Sequence, residues 1–215
     1  MTGTCWDLYV ITDTAIGRGR SHEEIARLAI AGGASVIQLR DKQRSSGDLI
    51  GIGKRIAVIA KETGTLFIVN DRPDIAVVCG ADGVHLGQGD IPVALTRKMV
   101  PRPFVIGVSV STQGEARQAE ADGADYLAAS PVFPTGSKPD AAGFCGLEGI
   151  RRIRAATSLP LVAIGGITPA NARDVIAAGA DGIAVISAVV AEDDIEKAAG
   201  NLRKIVEEAK RERAG

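Results

Sequence analysis

Several short apolar runs in this sequence are followed at once by side chains suited to holding anions or a metal ion. The first such group is Gln38-Leu39-Arg40-Asp41-Lys42. Arg40 and Lys42 are two apart, so an extended backbone turns them to the same side. There they could clamp a diphosphate, the arginine through its fork and the lysine as a point charge. A charged surface loop reads equally well. The second group is Asn70-Asp71-Arg72, and the third ends in Gly87-Gln88-Gly89-Asp90. Asp71 and Asp90 form a pair able to share one Mg2+, which takes one or two carboxylates with phosphate oxygens and water. Asn70 would be a neutral partner beside it. Helix capping is the competing role for Asp71, which precedes Arg72-Pro73.

Further along, Ser109 closes another apolar run, and Thr135-Gly136-Ser137-Lys138 combines hydroxyls, flexible backbone and a cation. That segment could fold over a phosphate, or be a plain loop between Pro134 and Pro139. Its spacing is not that of a nucleotide P-loop. Gly165-Gly166 and Ile186-Ser187 have the make-up of a backbone phosphate site. His85 lies inside an apolar run and reads as structural. His22, after Ser21, reads as a surface residue. Trp6, Tyr9 and the three cysteines read as packing.

These residues need a scaffold that brings strand ends together. Strand-like runs recur at 7–12, 35–39, 66–69, 83–86, 104–108, 125–129, 160–164 and 182–186. Helical periodicity fills the gaps at 21–31, 46–62, 73–79, 91–99, 113–122, 147–156 and 170–178. A last helix at 193–213 carries Ile195, Ala198, Leu202, Ile205, Val206 and Ala209 on one side. Such alternation implies βαβ units and a parallel sheet. Gly33-Ala34-Ser35, Gly80-Ala81-Asp82, Gly123-Ala124-Asp125 and Gly179-Ala180-Asp181 recur at spacings of 47, 43 and 56, each closing a helix and opening an even-numbered strand. Glycine suits a left-handed helix cap. Four double units closing into a ring predict a single-domain (β/α)8 TIM barrel over residues 1–215, with the site where strands end. A doubly wound open sheet is the alternative, but no G-x-G-x-x-G follows the first strand.

Composition narrows the function. With 215 residues, 46% hydrophobic, the chain can bury a sizeable core. A net charge of -1 gives no global field for nucleic acid or an anionic membrane, and 3% aromatics leave few stacking platforms. Three cysteines without metal spacing, no visible signal peptide and no long apolar run predict a reduced, cytoplasmic protein acting on small molecules. The sequence leaves a homo-oligomer open.

Taken together, YVITD (9–13), QLRDK (38–42), VNDRPDIA (69–76), ADGVHLGQGD (81–90), GVS (107–109), ADYLAASPVFPTGSKPD (124–140), AIGGI (163–167) and GADGIAVIS (179–187) resemble the thiamine-phosphate synthase family in its own order. The resemblance implies a transferase that joins a pyrimidine diphosphate to a thiazole phosphate, with Mg2+, and releases pyrophosphate. It implies that Arg40, Lys42, Asn70 and Lys138 hold the diphosphate, Gln38 lies beside the pyrimidine, and Ser109 contacts the diphosphate. It further implies that Asp71 and Asp90 bind Mg2+, and that Thr135, Ser137, Gly166, Ile186 and Ser187 line the thiazole-phosphate site. Arg40, Lys42, Ser109 and Lys138 are then the catalytic set. Ser137 stands where threonine is frequent, and GFCGLEG (143–149) departs from the family's pattern. The rival within the superfamily is a thiazole tautomerase, which needs a histidine where Ser111 stands. Other phosphate-binding barrels share the Gly165-Gly166 feature, and a scaffold protein would not need so many polar loops.

Overall fold

The computed structural model describes residues 5–135 and 144–214. Eight parallel strands close into a barrel in the order β1 to β8. They are β1 (Leu8–Thr12), β2 (Val36–Leu39), β3 (Leu66–Asn70), β4 (Gly83–Leu86), β5 (Val105–Val110), β6 (Tyr126–Ala129), β7 (Leu161–Ile164) and β8 (Gly182–Val185). Most are buried along their whole length, because each strand faces the barrel interior on one side and a helix on the other. The helices between them are α1 (His22–Ala31), α2 (Ser46–Thr63), α3 (Pro73–Cys79), α4 (Val93–Met99), α5 (Gln113–Ala121), α6 (Gly146–Ala156) and α7 (Ala172–Ala177). After β8 come α8 (Ser187–Val190) and α9 (Ile195–Ala214). Among the described residues no helix is long and apolar enough to cross a membrane.

Two details differ from the sequence expectation. A four-residue α8 starts at Ser187, too short to show a period. On α9 the buried positions are Ile195, Ala199, Leu202, Val206 and Ala209, with Ala198 and Ile205 only half-buried. Within that stripe, the Ala199 methyl lies against the close-packed Gly32 at the end of α1.

The repeated turns are built alike. Gly33, Gly80, Gly123 and Gly179 take positive φ of 94, 77, 98 and 112°. The alanine after each glycine then donates its N–H to a carbonyl five residues back, completing the helix cap. The third residue closes the turn onto the preceding strand. Asp82 accepts from Phe67 N–H at 2.8 Å, Asp125 from Ile106 N–H at 2.8 Å, and Asp181 from Leu161 N–H at 2.9 Å. Ser35 takes the N–H of Leu8 in the same way, at 3.3 Å. Each pair of strands is thus fixed at its amino end. Arg97 adds an ion pair to Asp125, and Arg154 adds one to Asp181.

The four turns are not of equal weight. The Asp125 side chain is buried and meets both Arg97 and Arg102, whereas Asp82 is an exposed residue. Asp125→Ala leaves the Ile106 N–H and Arg97 without their carboxylate, an expected cost of about 2–4 kcal/mol. Asp82→Ala loses one hydrogen bond, about 1 kcal/mol. Urea denaturation midpoints check the order, and equal costs would contradict it.

Candidate functional site

The strand exits place Arg40, Lys42, Asn70, Asp71, Asp90, Thr135, Gly166, Ile186 and Ser187 on the carboxyl rim. At β1, Asp13 accepts from Ala15 N–H at 2.9 Å and from Arg40 at 3.4 Å. That ion pair holds the Arg40 guanidinium, itself half-buried, beside the barrel mouth. Lys42, two residues on, is exposed. Asp41 between them is the hub of the loop. It accepts from Gln43 N–H at 2.8 Å, Arg44 N–H at 3.1 Å and Arg44 Nε at 3.1 Å.

Asp41 also meets His22 Nε2 at 3.2 Å, while His22 Nδ1 lies 2.7 Å from the Thr12 hydroxyl. His22 is 1% exposed, so the expectation of a surface residue is corrected. Ser21 caps α1, and the first helical turn tucks His22 inward under the β2–α2 loop. Burial pushes the Asp41 carboxyl up, but hydrogen bonds from Gln43, His22 and Arg44 outweigh it and hold it below the ordinary carboxylate range. The resulting loop order is present above the usual carboxylate pKa of about 3.9 and is lost as pH falls through the depressed value. An ionised Asp41 only accepts, so His22 Nε2 carries a proton.

β3 ends at Asn70, and Asp71 follows with φ of 61°. Its N–H is held by His85 O at 2.8 Å, and Arg72 N–H returns to Asn70 O at 2.8 Å. A left-handed aspartate costs on the order of 1–2 kcal/mol. Helix capping does not account for it: Arg72 is the cap residue of α3, with no side-chain cap bond and a proline in the first turn. Arg72 itself turns away to Asp74, at 2.6 Å, and to Ser46, at 3.1 Å, tying α3 to α2. Lys42, Asn70 and Asp71 line one cleft of about 300 Å3, walled by Leu39 and Val69.

At β4, Asp90 Oδ2 accepts from Gly87 N–H at 2.6 Å, closing a tight turn that fixes one carboxylate oxygen. Asp90 lines a separate cleft of about 320 Å3 with Gln88. Asp71 and Asp90 therefore stand at neighbouring strand ends but in different clefts. Among the described residues no group of three His, Cys, Asp or Glu side chains is arranged for a metal.

Ser109 was expected just after its strand. It lies inside β5, which runs on to Val110. Its hydroxyl meets His85 Nε2 at 2.9 Å, and Gln88 donates to its carbonyl at 2.8 Å. Gln38 is only 2% exposed and donates to the Tyr9 hydroxyl at 2.6 Å, forming part of the floor. Tyr9, read as packing, thus carries a polar role as well. Cys79 is buried as expected, but Cys5 is exposed and donates to Asp7.

Across the barrel, Thr135, Gly166, Ile186 and Ser187 line a narrow cleft of about 30 Å3, together with Ser130, Pro131 and Ile164. Gly165 and Gly166 have φ of 107 and 64°. A Cβ on Gly165 would stand 2.7 Å from Pro131 Cβ, and one on Gly166 would stand 2.6 Å from Pro134 O. Both glycines are required because the β6–α6 segment lies directly on them; Phe133 N–H donates to Gly165 O at 3.0 Å. Ser187 opens α8 beside them. Gly136, Ser137 and Lys138 fall outside the described residues. A depression of about 1380 Å3 lies at the amino ends of β2 and β3 around Ser35, Lys61 and Asp82, away from this rim.

A closed parallel barrel with anion-ready loops on its carboxyl rim defines the phosphate-binding (β/α)8 enzymes. The sequence profile of one family, thiamine monophosphate synthase, matches residues 8–189, and the chain belongs to that family. It is 61% identical over 204 residues to thiamine-phosphate synthase of Methanoregula boonei, covering 95% of this chain and 94% of that protein. It is 59% identical over 207 residues to thiamine-phosphate synthase of Methanoculleus marisnigri, covering 96% and 98%. The solved thiamine phosphate pyrophosphorylase from Pyrococcus furiosus superposes with a TM-score of 0.89 at 44% identity, covering 96% of this chain and 98% of that one.

The left-handed Asp71 carries a testable cost. Asp71→Ala and Asp71→Gly both lack the carboxylate but only glycine relieves the left-handed backbone, so Asp71→Gly is expected to be about 1 kcal/mol more stable than Asp71→Ala. Thermal melts of the two variants check this, and a less stable Asp71→Gly would contradict it.

Proposed function

We propose that the chain, acting as one catalytic unit, condenses 4-amino-2-methyl-5-(diphosphooxymethyl)pyrimidine with 4-methyl-5-(2-phosphooxyethyl)thiazole. The products are thiamine phosphate and pyrophosphate. Membership of the thiamine monophosphate synthase family carries this reading, and it makes the enzyme a transferase. The rim supports it, with a charged side at β2 to β4 and, at β6 to β8, a cleft whose described lining carries no charge. The tautomerase alternative needs a histidine at position 111. Ser111 stands there instead, with its N–H on Glu115 at 2.6 Å.

The donor set fits Mg2+. Asp71 and Asp90 offer hard carboxylate oxygens at neighbouring strand ends, in separate clefts, and such donors suit an ion that completes its shell with phosphate oxygens and water. Asp71 and Asp90 would hold it, and it would supply charge neutralisation for the departing diphosphate. Arg40, Lys42 and Asn70 bind the diphosphate, and Lys138 joins them by the family's pattern. Ser109 donates to it from the floor, with Gln38 under the pyrimidine.

Cleavage of the bond between the methylene carbon and the diphosphate oxygen leaves a cation that the aminopyrimidine stabilises, and the thiazole nitrogen then captures it. Growing negative charge on the leaving group is what Arg40 and Lys138 meet. No general base is required. Thr135, Ser137, Gly166, Ile186 and Ser187 seat the thiazole phosphate, largely through hydroxyls and backbone N–H groups.

The decisive assay is pyrophosphate release from the two substrates with Mg2+; no release overturns the reading. Chelator abolishes activity and Mg2+ restores it. Asp71→Asn and Asp90→Asn each weaken the metal requirement site, and full activity in the double variant would refute that assignment. Ser187→Ala raises KM for the thiazole phosphate, a contact present before and after the chemical step. Arg40→Ala and Lys138→Ala lower kcat, Lys138→Ala by about 10²–10³-fold, as for a lost oxyanion donor. Steady-state kinetics on both substrates separates these outcomes.

A further inference from the structure

Five side chains from five strands form one unbroken polar line through the barrel interior. Gln38 Nε2 lies 2.6 Å from Tyr9 Oη, Tyr9 Oη 3.0 Å from Tyr126 Oη, and Tyr126 Oη 2.9 Å from His85 Nδ1. His85 Nε2 then lies 2.9 Å from Ser109 Oγ. The link between β1 and β6 crosses the barrel, since those strands are not neighbours. Tyr9 and Tyr126 are buried, and burial raises both phenols so that each keeps its single proton.

The room for this line is reserved. A Cβ on Gly107 would lie 2.0 Å from the Tyr126 ring, so only glycine there admits it. Trp6 packs against that ring in a tilted pair, with centroids 4.4 Å apart.

Each link has a direction. The Gln38 amide donates to Tyr9; the buried Tyr9 proton needs an acceptor and finds it in Tyr126, and the Tyr126 proton then goes to Nδ1 of a neutral His85. His85 Nε2–H then donates to Ser109, whose own proton is left for a ligand oxygen. At the far end the Gln38 carbonyl oxygen is left to accept. We propose that Tyr9, Tyr126 and His85 are positioning residues that fix the direction of the Ser109 hydroxyl and couple it to Gln38. The line then favours a substrate that donates at Gln38 and accepts at Ser109, as an aminopyrimidine diphosphate does. This rests on the reading above that those two residues face the pyrimidine and the diphosphate. A ligand with the opposite pattern would have to reverse every proton along the line.

A double-variant cycle of Tyr126→Phe with Ser109→Ala tests it. Tyr126→Phe keeps the ring against Trp6 and removes one hydroxyl. It should lower kcat about tenfold, the loss of one oriented hydrogen bond, with KM for the thiazole phosphate unchanged. In the Ser109→Ala background it should cost nothing more, because its effect runs through that hydroxyl. Additive losses, or wild-type kcat in Tyr126→Phe, overturn the proposal. Tyr9→Phe provides the same cycle should Tyr126→Phe fail to fold in a thermal melt. The cycle is read a second time on the Kd for inorganic pyrophosphate with Mg2+. If the wild type released no pyrophosphate from its substrates, the functional reading would fall. Non-additive Kd values would then still uphold the line, and additive ones would overturn it.

Discussion

The fold depends on one repeated contact: a short polar side chain at the end of each Gly-Ala-Asp or Gly-Ala-Ser turn takes an N–H from the first or second residue of the strand before it. A barrel strand of four or five residues has little pairing to hold its register. A slip of one position would turn its whole core face outward. Asp82, Asp125, Asp181 and Ser35 prevent the slip by tying β3, β5, β7 and β1 to the strand that follows each. Arg97 and Arg203 reach the carbonyls of the capping glycines Gly123 and Gly33, so the helices are fastened to the same turns.

Because the amino end fixes the register, the carboxyl end can accept conformations that cost stability. Asp71 is left-handed without being glycine, and Gly165 and Gly166 are two left-handed residues in succession beneath the β6–α6 segment. The same division applies to ion pairs. At the amino end Asp7, Asp125 and Asp181 each meet two basic side chains. On the rim, Asp13 and Asp41 orient Arg40 and its loop instead. This is the separation of stability and activity that the barrel architecture allows.

The barrel was legible in the sequence because strand runs, helix periods and capping glycines are local signals. Gly33, Gly80, Gly123 and Gly179 announce positive φ by their residue type alone. Asp71 does the reverse, since aspartate gives no sign of a left-handed backbone. His22 follows a helix cap and looks exposed in sequence. Its burial depends on Thr12 and Asp41, which belong to two other strand exits. The interior line was beyond local reading for the same reason: Tyr9 and Tyr126 are 117 residues apart. Only barrel closure brings them together, so Tyr9 read as packing and His85 as a lone strand histidine. The signal that could have found the line is Gly107, a glycine within an apolar strand, which marks a close approach.

Charge placement completes the account of how a chain with net charge of -1 could handle two anions. The cleft between β2 and β3 is lined by Asp41, Lys42, Arg44, Asp71 and Arg72 among its nine residues. The cleft at β6 to β8 has no charged residue in its described lining, only Ser130, Thr135 and Ser187 as polar side chains among glycine and apolar neighbours. On the proposed reading, the diphosphate goes where cations and carboxylates meet, because its charge grows as the bond breaks. The monophosphate goes where fixed backbone dipoles hold it, because its charge does not change. A cation beside the monophosphate would bind diphosphate as well, and the two substrates would compete for one seat. Among the described residues no lysine or arginine lines the β6 to β8 cleft, so on the proposed reading the order of the two groups around the rim follows from chemistry as well as from shape.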